Sequence, residues 1–451
     1  MGSASSQIRA ATLPASRLPP KTSLSGCICA VHARNVVADI DVYVDFAPAL
    51  KRVGTLHRHV RRGGETTSFE YHPGWLADPA RFSLEPALTL NRGAFAADRG
   101  LSIFGSIGDS APDTWGRRLM QRAERRSAER EGRAVRTLLE VDYLLGVADV
   151  SRLGALRFRK AGEEVFQAPT SAGVPRLIEL ARLLQVTERI LRDQETEEDL
   201  QLIFAPGSSL GGARPKASVL DQHGRLAIAK FPKENDEYSV ELWEAVAFAL
   251  ARRAGIRTPE HELIRVAEKP VMLSRRFDRA ERKRVPFLSG LSMMGLKDGE
   301  RGSYPELVDV LTQHGARARD DARELYRRMT LNVLISNVDD HLRNHGFLWA
   351  GSDGWMLSPV YDLNPTPLDV RPRILTTNIS IDEATCDLDL VLSVAEFFGL
   401  APDEARTIAK EVATATVTWR EVATAFGATR GEIRRMSSAF EHDDLAGALA
   451  L

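Results

Sequence analysis

The stretch Asn337-Val338-Asp339-Asp340-His341-Leu342-Arg343-Asn344-His345 constrains this chain more than any other. It follows a segment in which Leu325, Met329 and Val333 recur every four residues, the spacing of one helix face. A polar, Asn-bounded run after such a helix reads as a loop. Within it, Asp339 and Asn344 have the D-x-x-x-x-N spacing of a phosphotransferase catalytic loop. There the aspartate accepts or orients the attacking hydroxyl, and the asparagine binds a metal ion. Asp340, His341 and His345 leave a zinc site open as a competing reading, because two histidines four apart bind zinc when they share a helix. A purely structural loop is the third.

Three further clusters precede or follow this loop, and each is commonplace alone. Gly207-Ser208-Ser209-Leu210-Gly211-Gly212-Ala213-Arg214-Pro215-Lys216 has the glycines and serines that let backbone N–H groups approach a phosphate, and Lys216 adds a positive charge. It is neither a Walker A loop nor a G-x-G-x-x-G fingerprint, and most glycine-rich turns are only turns. Leu226-Ala227-Ile228-Ala229-Lys230-Phe231 is a short apolar strand with one lysine, which in a kinase neutralises nucleotide phosphates and in most strands is an edge charge. Residues 238–254 place Val240, Trp243, Ala247, Leu250, Ala251 and Ala254 on one helical stripe, with Glu241 and Glu244 available to orient Lys230 and Glu244 falling beside the stripe. Finally, Asp362 follows the strand Trp355-Met356-Leu357 and precedes the turn at Asn364-Pro365, where a kinase places the carboxylate that binds Mg2+.

The order of these clusters carries more than any member. Glycine loop, strand lysine, helix glutamate, D-x-x-x-x-N loop and strand-turn aspartate follow one another as in a kinase-type phosphotransferase. Neither H-R-D nor D-F-G is present, so an ordinary eukaryotic-type protein kinase is excluded.

Organisation and charge narrow the setting. The 451 residues suggest two to four domains, and Lys+Arg 60 against Asp+Glu 61 disfavours a wholly basic nucleic-acid binder. No run of about 18 apolar residues is available to span a membrane. Three cysteines cannot build a disulfide scaffold, which fits a reducing, cytoplasmic compartment. Residues 1–38 are rich in Ser, Ala and Pro; they have the flavour of a transit peptide, and Leu24-Ser25-Gly26-Cys27 that of a lipoprotein cleavage site, but the simplest expectation is a disordered leader. Period-2 patterns at 41–46 and 67–71, a charged helix from Thr114 to about Arg136 and a strand near 160 make 39–165 an α+β unit. A connector, a helix from Pro175 to about Leu191 and a glycine-centred hairpin at 204–232 open a second part, 166–287. The last part, 288–451, reads as mostly helical, with Pro402 opening one helix and Thr429-x-x-Glu432 capping the next.

With those clusters in place, the chain closely resembles the HipA family, the kinase toxins of HipBA-type toxin–antitoxin modules. The resemblance runs from about 40 to 445. It is most specific at Ser209–Lys216, Arg276-Phe277-Asp278-Arg279, Asp339–Asn344 and Tyr361-Asp362. Phe69-Glu70-Tyr71 with Trp75-Leu76, Asp109-Ser110-Ala111-Pro112-Asp113, and Gly302-Ser303-Tyr304 are also family-like. The resemblance implies an α+β, two-lobed protein-kinase-like fold with an extra N-terminal subdomain and a mostly helical C-terminal lobe. It implies an ATP- and Mg2+-dependent serine/threonine kinase with Asp339 as base, Asn344 and Asp362 on the metal, and Lys230, Glu244, Lys216, Gly211 and Gly212 on the ATP side. Ser209, with Ser208 as alternate, matches a serine that family members autophosphorylate to silence themselves. A HipB-like helix-turn-helix antitoxin, DNA contact only through it, and a translation component such as an aminoacyl-tRNA synthetase as substrate are implied likewise. Asp340 departs from a D-G-H variant of the family and puts a second carboxylate near the base. A small-molecule (antibiotic or sugar) phosphotransferase and a pseudokinase corepressor scaffold remain the rival readings.

Overall fold

Alternation of apolar and polar residues decides the first sheet. In β1 (Ile40–Phe46), Ile40, Val42 and Val44 point into the core while their neighbours face outward. A computed structural model describes residues 39–46, 49–61, 64–98, 100–168, 173–204, 212–280 and 283–451. The leader 1–38 and the positions Ser208, Ser209 and Gly211 lie outside the described residues. β1 pairs antiparallel with β2 (Ala49–Arg61), which pairs with β3 (Gly64–Tyr71) and then β4 (Ala94–Ala96), while β5 (Leu156–Lys160) closes the other side of β1. β2 has no clean alternation, and the sequence pattern did not single it out. Its register slips at a bulge opposite Val42 and Tyr43.

Between β4 and β5 in the chain comes the charged helix Thr114–Glu131, shorter than the pattern predicts. Asp113 caps its start, accepting the Gly116 N–H at 2.7 Å, and Gly132 ends it in the left-handed region at φ 62°. Asp142–Gly146, which the sequence left unassigned, lies within a helical turn, Glu140–Gly146. The expected helix before 191 begins later, at Leu180, and a further helix, Glu197–Phe204, follows it.

The second sheet has the order β6-β7-β9-β8, from β6 (Lys216–Leu220), β7 (Leu226–Lys230), β8 (His261–Val266) and β9 (Lys269–Arg275), all antiparallel. A small hairpin, β10 (Arg279–Ala280) with β11 (Lys283–Arg284), leads to the third sheet of β12 (Phe287–Ser289), β13 (Gly346–Trp349) and β14 (Trp355–Leu357). Helix Val240–Arg253, capped by Ser239, packs on β8 and β9 and on the C-terminal helices. Trp243 is wholly buried against Trp419, which stacks on Phe440 at 4.6 Å between ring centroids. Truncating such a residue to alanine costs about 3–5 kcal/mol. The remainder is mostly helical, and its central helix Ala318–Leu334 is buried along one face by Leu325, Met329 and Val333. One apolar core runs from the first sheet through the third into these helices. A second core joins Trp115 and Leu119 to β6, β7, β9 and helix Leu180–Leu191.

Candidate active site

The register of one hairpin creates the site's main electrostatic problem. Lys216 and Lys230 are direct partners across β6 and β7, so their side chains leave the same face. Two like charges so placed repel, and the structure answers with three carboxylates. Lys230 Nζ lies 2.7 Å from Glu244 Oε1 and 2.8 Å from Asp362 Oδ1, and Lys216 Nζ lies 2.9 Å from Asp113 Oδ2. Glu241, the other glutamate of that helix, turns instead to Arg214 at 2.9 Å. Burial works against the ammonium of Lys230, but Asp362 and Glu244 outweigh it and hold its pKa above the usual lysine range. Burial likewise works against the Asp362 carboxylate, yet Lys230 and Lys216 pull its pKa well below the usual range.

Asp362 reaches this position at a backbone cost. Its φ of 58° is left-handed, where an aspartate is among the few residues tolerated. Asn364 helps to hold it, with Nδ2 donating to Asp362 Oδ1 at 3.1 Å. Gly212 has φ 101°, and a Cβ there would stand 3.2 Å from Lys216 Nζ and 3.8 Å from Asp362 Oδ2. A side chain at 212 would therefore be strained and would crowd both charged groups.

The loop after helix Ala318–Leu334 is turn and one short 3-10 segment, Leu342–Asn344, as its polar composition predicts. Asp339 is about half exposed, and its Oδ1 accepts from Arg371 at 3.1 Å. Asn344 is buried. Its Nδ2 donates to the Asp339 carbonyl at 3.1 Å, while its Oδ1 is buried with no hydrogen-bond partner. An orphaned amide oxygen and an ionised carboxylate are hard oxygen donors, a set that fits Mg2+, which keeps several of its waters. Asp340, His341 and His345 do not assemble a cluster of three or more His, Cys, Asp or Glu ligands among the described residues. Instead, Asp340 Oδ1 lies 3.1 Å from His345 Nε2 and Asp340 Oδ2 accepts from the Tyr304 hydroxyl.

A buried polar chain ties the two parts of the site together, and no motif announced it. The Asn364 N–H donates to Asn337 Oδ1 at 3.0 Å, and Asn337 Nδ2 to Asn332 Oδ1 at 2.9 Å. Asn332 Nδ2 then donates to the Tyr304 hydroxyl at 2.9 Å, which leads to Asp340. The one available signal was a polar residue, Asn332, interrupting the apolar end of its helix, Leu331–Leu334. Asp109 and Asp113 were also missed as site residues; they were visible only as a family-like string.

Residues 208–420 match the family described as a HipA-like C-terminal domain. A Haemophilus influenzae protein provisionally named a kinase is 24% identical over 180 residues, which is 35% of this chain and 52% of that protein, so the chain spans about half the length of this curated relative. Among solved structures, HipA of Shewanella oneidensis, determined with HipB and its operator DNA, matches over 91% of this chain and 96% of that one. Its TM-score is 0.62 at 15% identity, a likeness of fold. The Helicobacter pylori proinflammatory kinase CtkA covers 53% of this chain at 17% identity with a TM-score of 0.37. The two-lobed, α+β kinase-like fold expected from the sequence is thus present, and residues 208–420 within it match a HipA-like C-terminal domain.

Proposed function

We propose that the chain is an ATP- and Mg2+-dependent serine/threonine protein kinase that acts as the growth-inhibiting toxin of a toxin–antitoxin pair. The observation that carries this reading is Lys230 clasped between Glu244 and Asp362 beside the Asp339–Asn344 loop. In this reading Lys230 and Lys216, with Gly211 and Gly212, face the ATP phosphates, and Glu244 holds the Lys230 ammonium at a fixed depth. Asn344 and Asp362 would hold Mg2+, whose charge neutralises the phosphates when it is bound. Asp339 takes the proton of the attacking hydroxyl as the γ-phosphoryl group passes to that oxygen and ADP leaves. Its exposure suits a group that must meet a protein substrate.

Ser209, or its neighbour Ser208, is the proposed site of silencing autophosphorylation. A dianion in the glycine-rich segment would compete with ATP for Lys216 and Lys230. A HipB-like helix-turn-helix antitoxin is the proposed partner, carrying any DNA contact. A translation component such as an aminoacyl-tRNA synthetase is the proposed substrate, and the cytoplasm the proposed compartment. Among the described residues no helix is long and apolar enough to cross a membrane. The proposed division is a leader at 1–38, an N-terminal subdomain at 39–165, an N-lobe at 166–287 and a C-lobe at 288–451, which is supported by the five-, four- and three-stranded sheets lying, but for Phe287, in the last three in turn.

Incubation with labelled ATP and Mg2+, alongside Asp339→Ala and Asp362→Ala, tests the mechanism. Labelling of wild type alone supports it, and equal labelling of all three ends it. Intact mass before and after phosphatase, with the shift mapped to Ser208 or Ser209, tests the silencing.

A further inference from the structure

We propose that the segment Asp109–Trp115 of the N-terminal subdomain is a brace that positions both halves of the active site. Asp113 fixes Lys216 and the end of the glycine-rich segment, and Asp109 fixes the Asp339–Asn344 loop through Arg343. The inference rests on the kinase reading above and assigns the N-terminal subdomain a part in it.

The two aspartates stand four residues apart, and Pro112, between them, limits the freedom of the backbone. Asp113 is held first by its role as a helix cap: Oδ1 accepts the Gly116 N–H at 2.7 Å, which leaves Oδ2 aimed at Lys216 Nζ 2.9 Å away. Both side chains of that pair are 3% exposed, so neither charge is shared with solvent. The helix's first turn repeats the grip. Trp115 Nε1 donates to the Lys216 carbonyl at 3.1 Å, and the Trp115 N–H to the Gly212 carbonyl at 3.4 Å. Three contacts from one helix start therefore converge on Gly212 and Lys216.

Asp109 acts at the other end. Its Oδ2 accepts the Ser289 N–H at 2.7 Å and its Oδ1 the Ser289 hydroxyl at 2.8 Å, which locks the carboxylate in place. Arg343 Nη1 lies 3.2 Å from the same Oδ1. Arg343 is the residue before Asn344, and its carbonyl accepts the Tyr361 hydroxyl at 2.6 Å, one residue before Asp362. Its other carboxylate partner, Asp298, is exposed, so Asp109 supplies the buried anchor.

Fold stability alone is a poor reason for such pairs. A buried ion pair is often no better for stability than apolar residues of equal volume. What these pairs give is a fixed geometry, and their far ends lie on the two segments whose geometry phosphoryl transfer needs.

The test is steady-state ADP release from Mg·ATP by the full chain, with Asp113→Asn, Asp109→Asn, Asp339→Ala and Lys216→Gln. Asp113→Asn is expected to raise the ATP KM about tenfold with kcat nearly unchanged, and Asp109→Asn to lower kcat about tenfold with the ATP KM nearly unchanged. Asp113→Asn added to Lys216→Gln should do nothing more, since the pair is already broken. Asp113→Glu should recover part of the KM. Melting temperatures of every variant separate positioning from unfolding. Should both aspartate variants lose kcat and KM alike, in step with their melting temperatures, the brace is overturned while an inactive Asp339→Ala keeps the kinase reading standing. A phosphatase-treated wild-type protein that releases no ADP overturns both.

Discussion

The two halves of the site are built to opposite standards. On the lysine side, Lys230, Glu244 and Asp362 form a mostly buried cluster in which each charge has a partner within 2.8 Å. On the Asp339 side, the carboxylate and its partner Arg371 are both more than half exposed, and the nearby Asn344 Oδ1 is left without a hydrogen bond. Preorganised dipoles suit a ligand whose shape never changes, such as a triphosphate. An open, singly paired carboxylate suits a partner that brings its own surface and changes from one substrate to the next. The contrast teaches that rigidity has been placed where the chemistry is constant.

Two substitutions probe this contrast hardest. Asp339→Ala removes the proposed base and should cut phosphoryl transfer by about a thousandfold, within the range of general-base catalysis. Because Asp339 is half exposed, the urea midpoint should stay where it is. Lys230→Met should also abolish transfer, but it strands the Glu244 and Asp362 carboxylates in the interior and should cost about 3 kcal/mol of stability. Urea titration of both variants measures the difference. Equal midpoints would erase the distinction between the halves.

Acid should tell the halves apart as well. Burial opposes the charge of Asp362, but Lys230 and Lys216 hold its folded-state pKa below the ordinary aspartate value. A group of this kind contributes stability that is complete above its unfolded pKa, about 3.9, and is lost as pH falls below it. Wild-type stability should therefore fall more steeply between pH 5 and pH 3 than that of Asp362→Asn, as followed by urea unfolding. Parallel curves would show that Asp362 is not held ionised by the lysines.

How much of this was legible in the sequence follows the same division. Lys230, Glu244, Asp339, Asn344 and Asp362 could be proposed from the sequence because each sits at a characteristic offset from a strand, helix or turn, and local spacing survives in one dimension. Asp109, Asp113, Tyr304 and Arg371 reach the site from elsewhere in the chain, 234 residues separating Asp109 from Arg343, and nothing local marks that distance as short. The fold was readable where one face alternates, as in β1, and unreadable in β2, where Ala49–Arg61 mixes polar and apolar residues without period. The boundary error at helix Thr114–Glu131 has a local cause: Gly132 ends the helix and Arg133 turns back to Glu124 Oε1 at 2.5 Å, a contact that composition does not reveal.

The smallest expected effect gives the sharpest view of the open half. Arg371 Nη1 lies 3.1 Å from Asp339 Oδ1, with the two side chains 57% and 52% exposed. A pair so exposed contributes about 0.5 kcal/mol or less, since water screens the attraction and ordering two side chains offsets it. Arg371→Ala should accordingly leave the urea midpoint unchanged and alter the transfer rate by less than about threefold. Salt then serves as an independent lever. Raising ionic strength shortens the Debye length from about 10 Å at 0.1 M to about 3 Å at 1 M, which weakens the exposed pair while leaving the buried lysine cluster largely untouched. High salt should therefore move the wild-type rate toward that of Arg371→Ala, with little further change in the variant. If wild type and variant respond to salt alike, Arg371 does not restrain Asp339 in solution, and the open half is freer than the structure draws it.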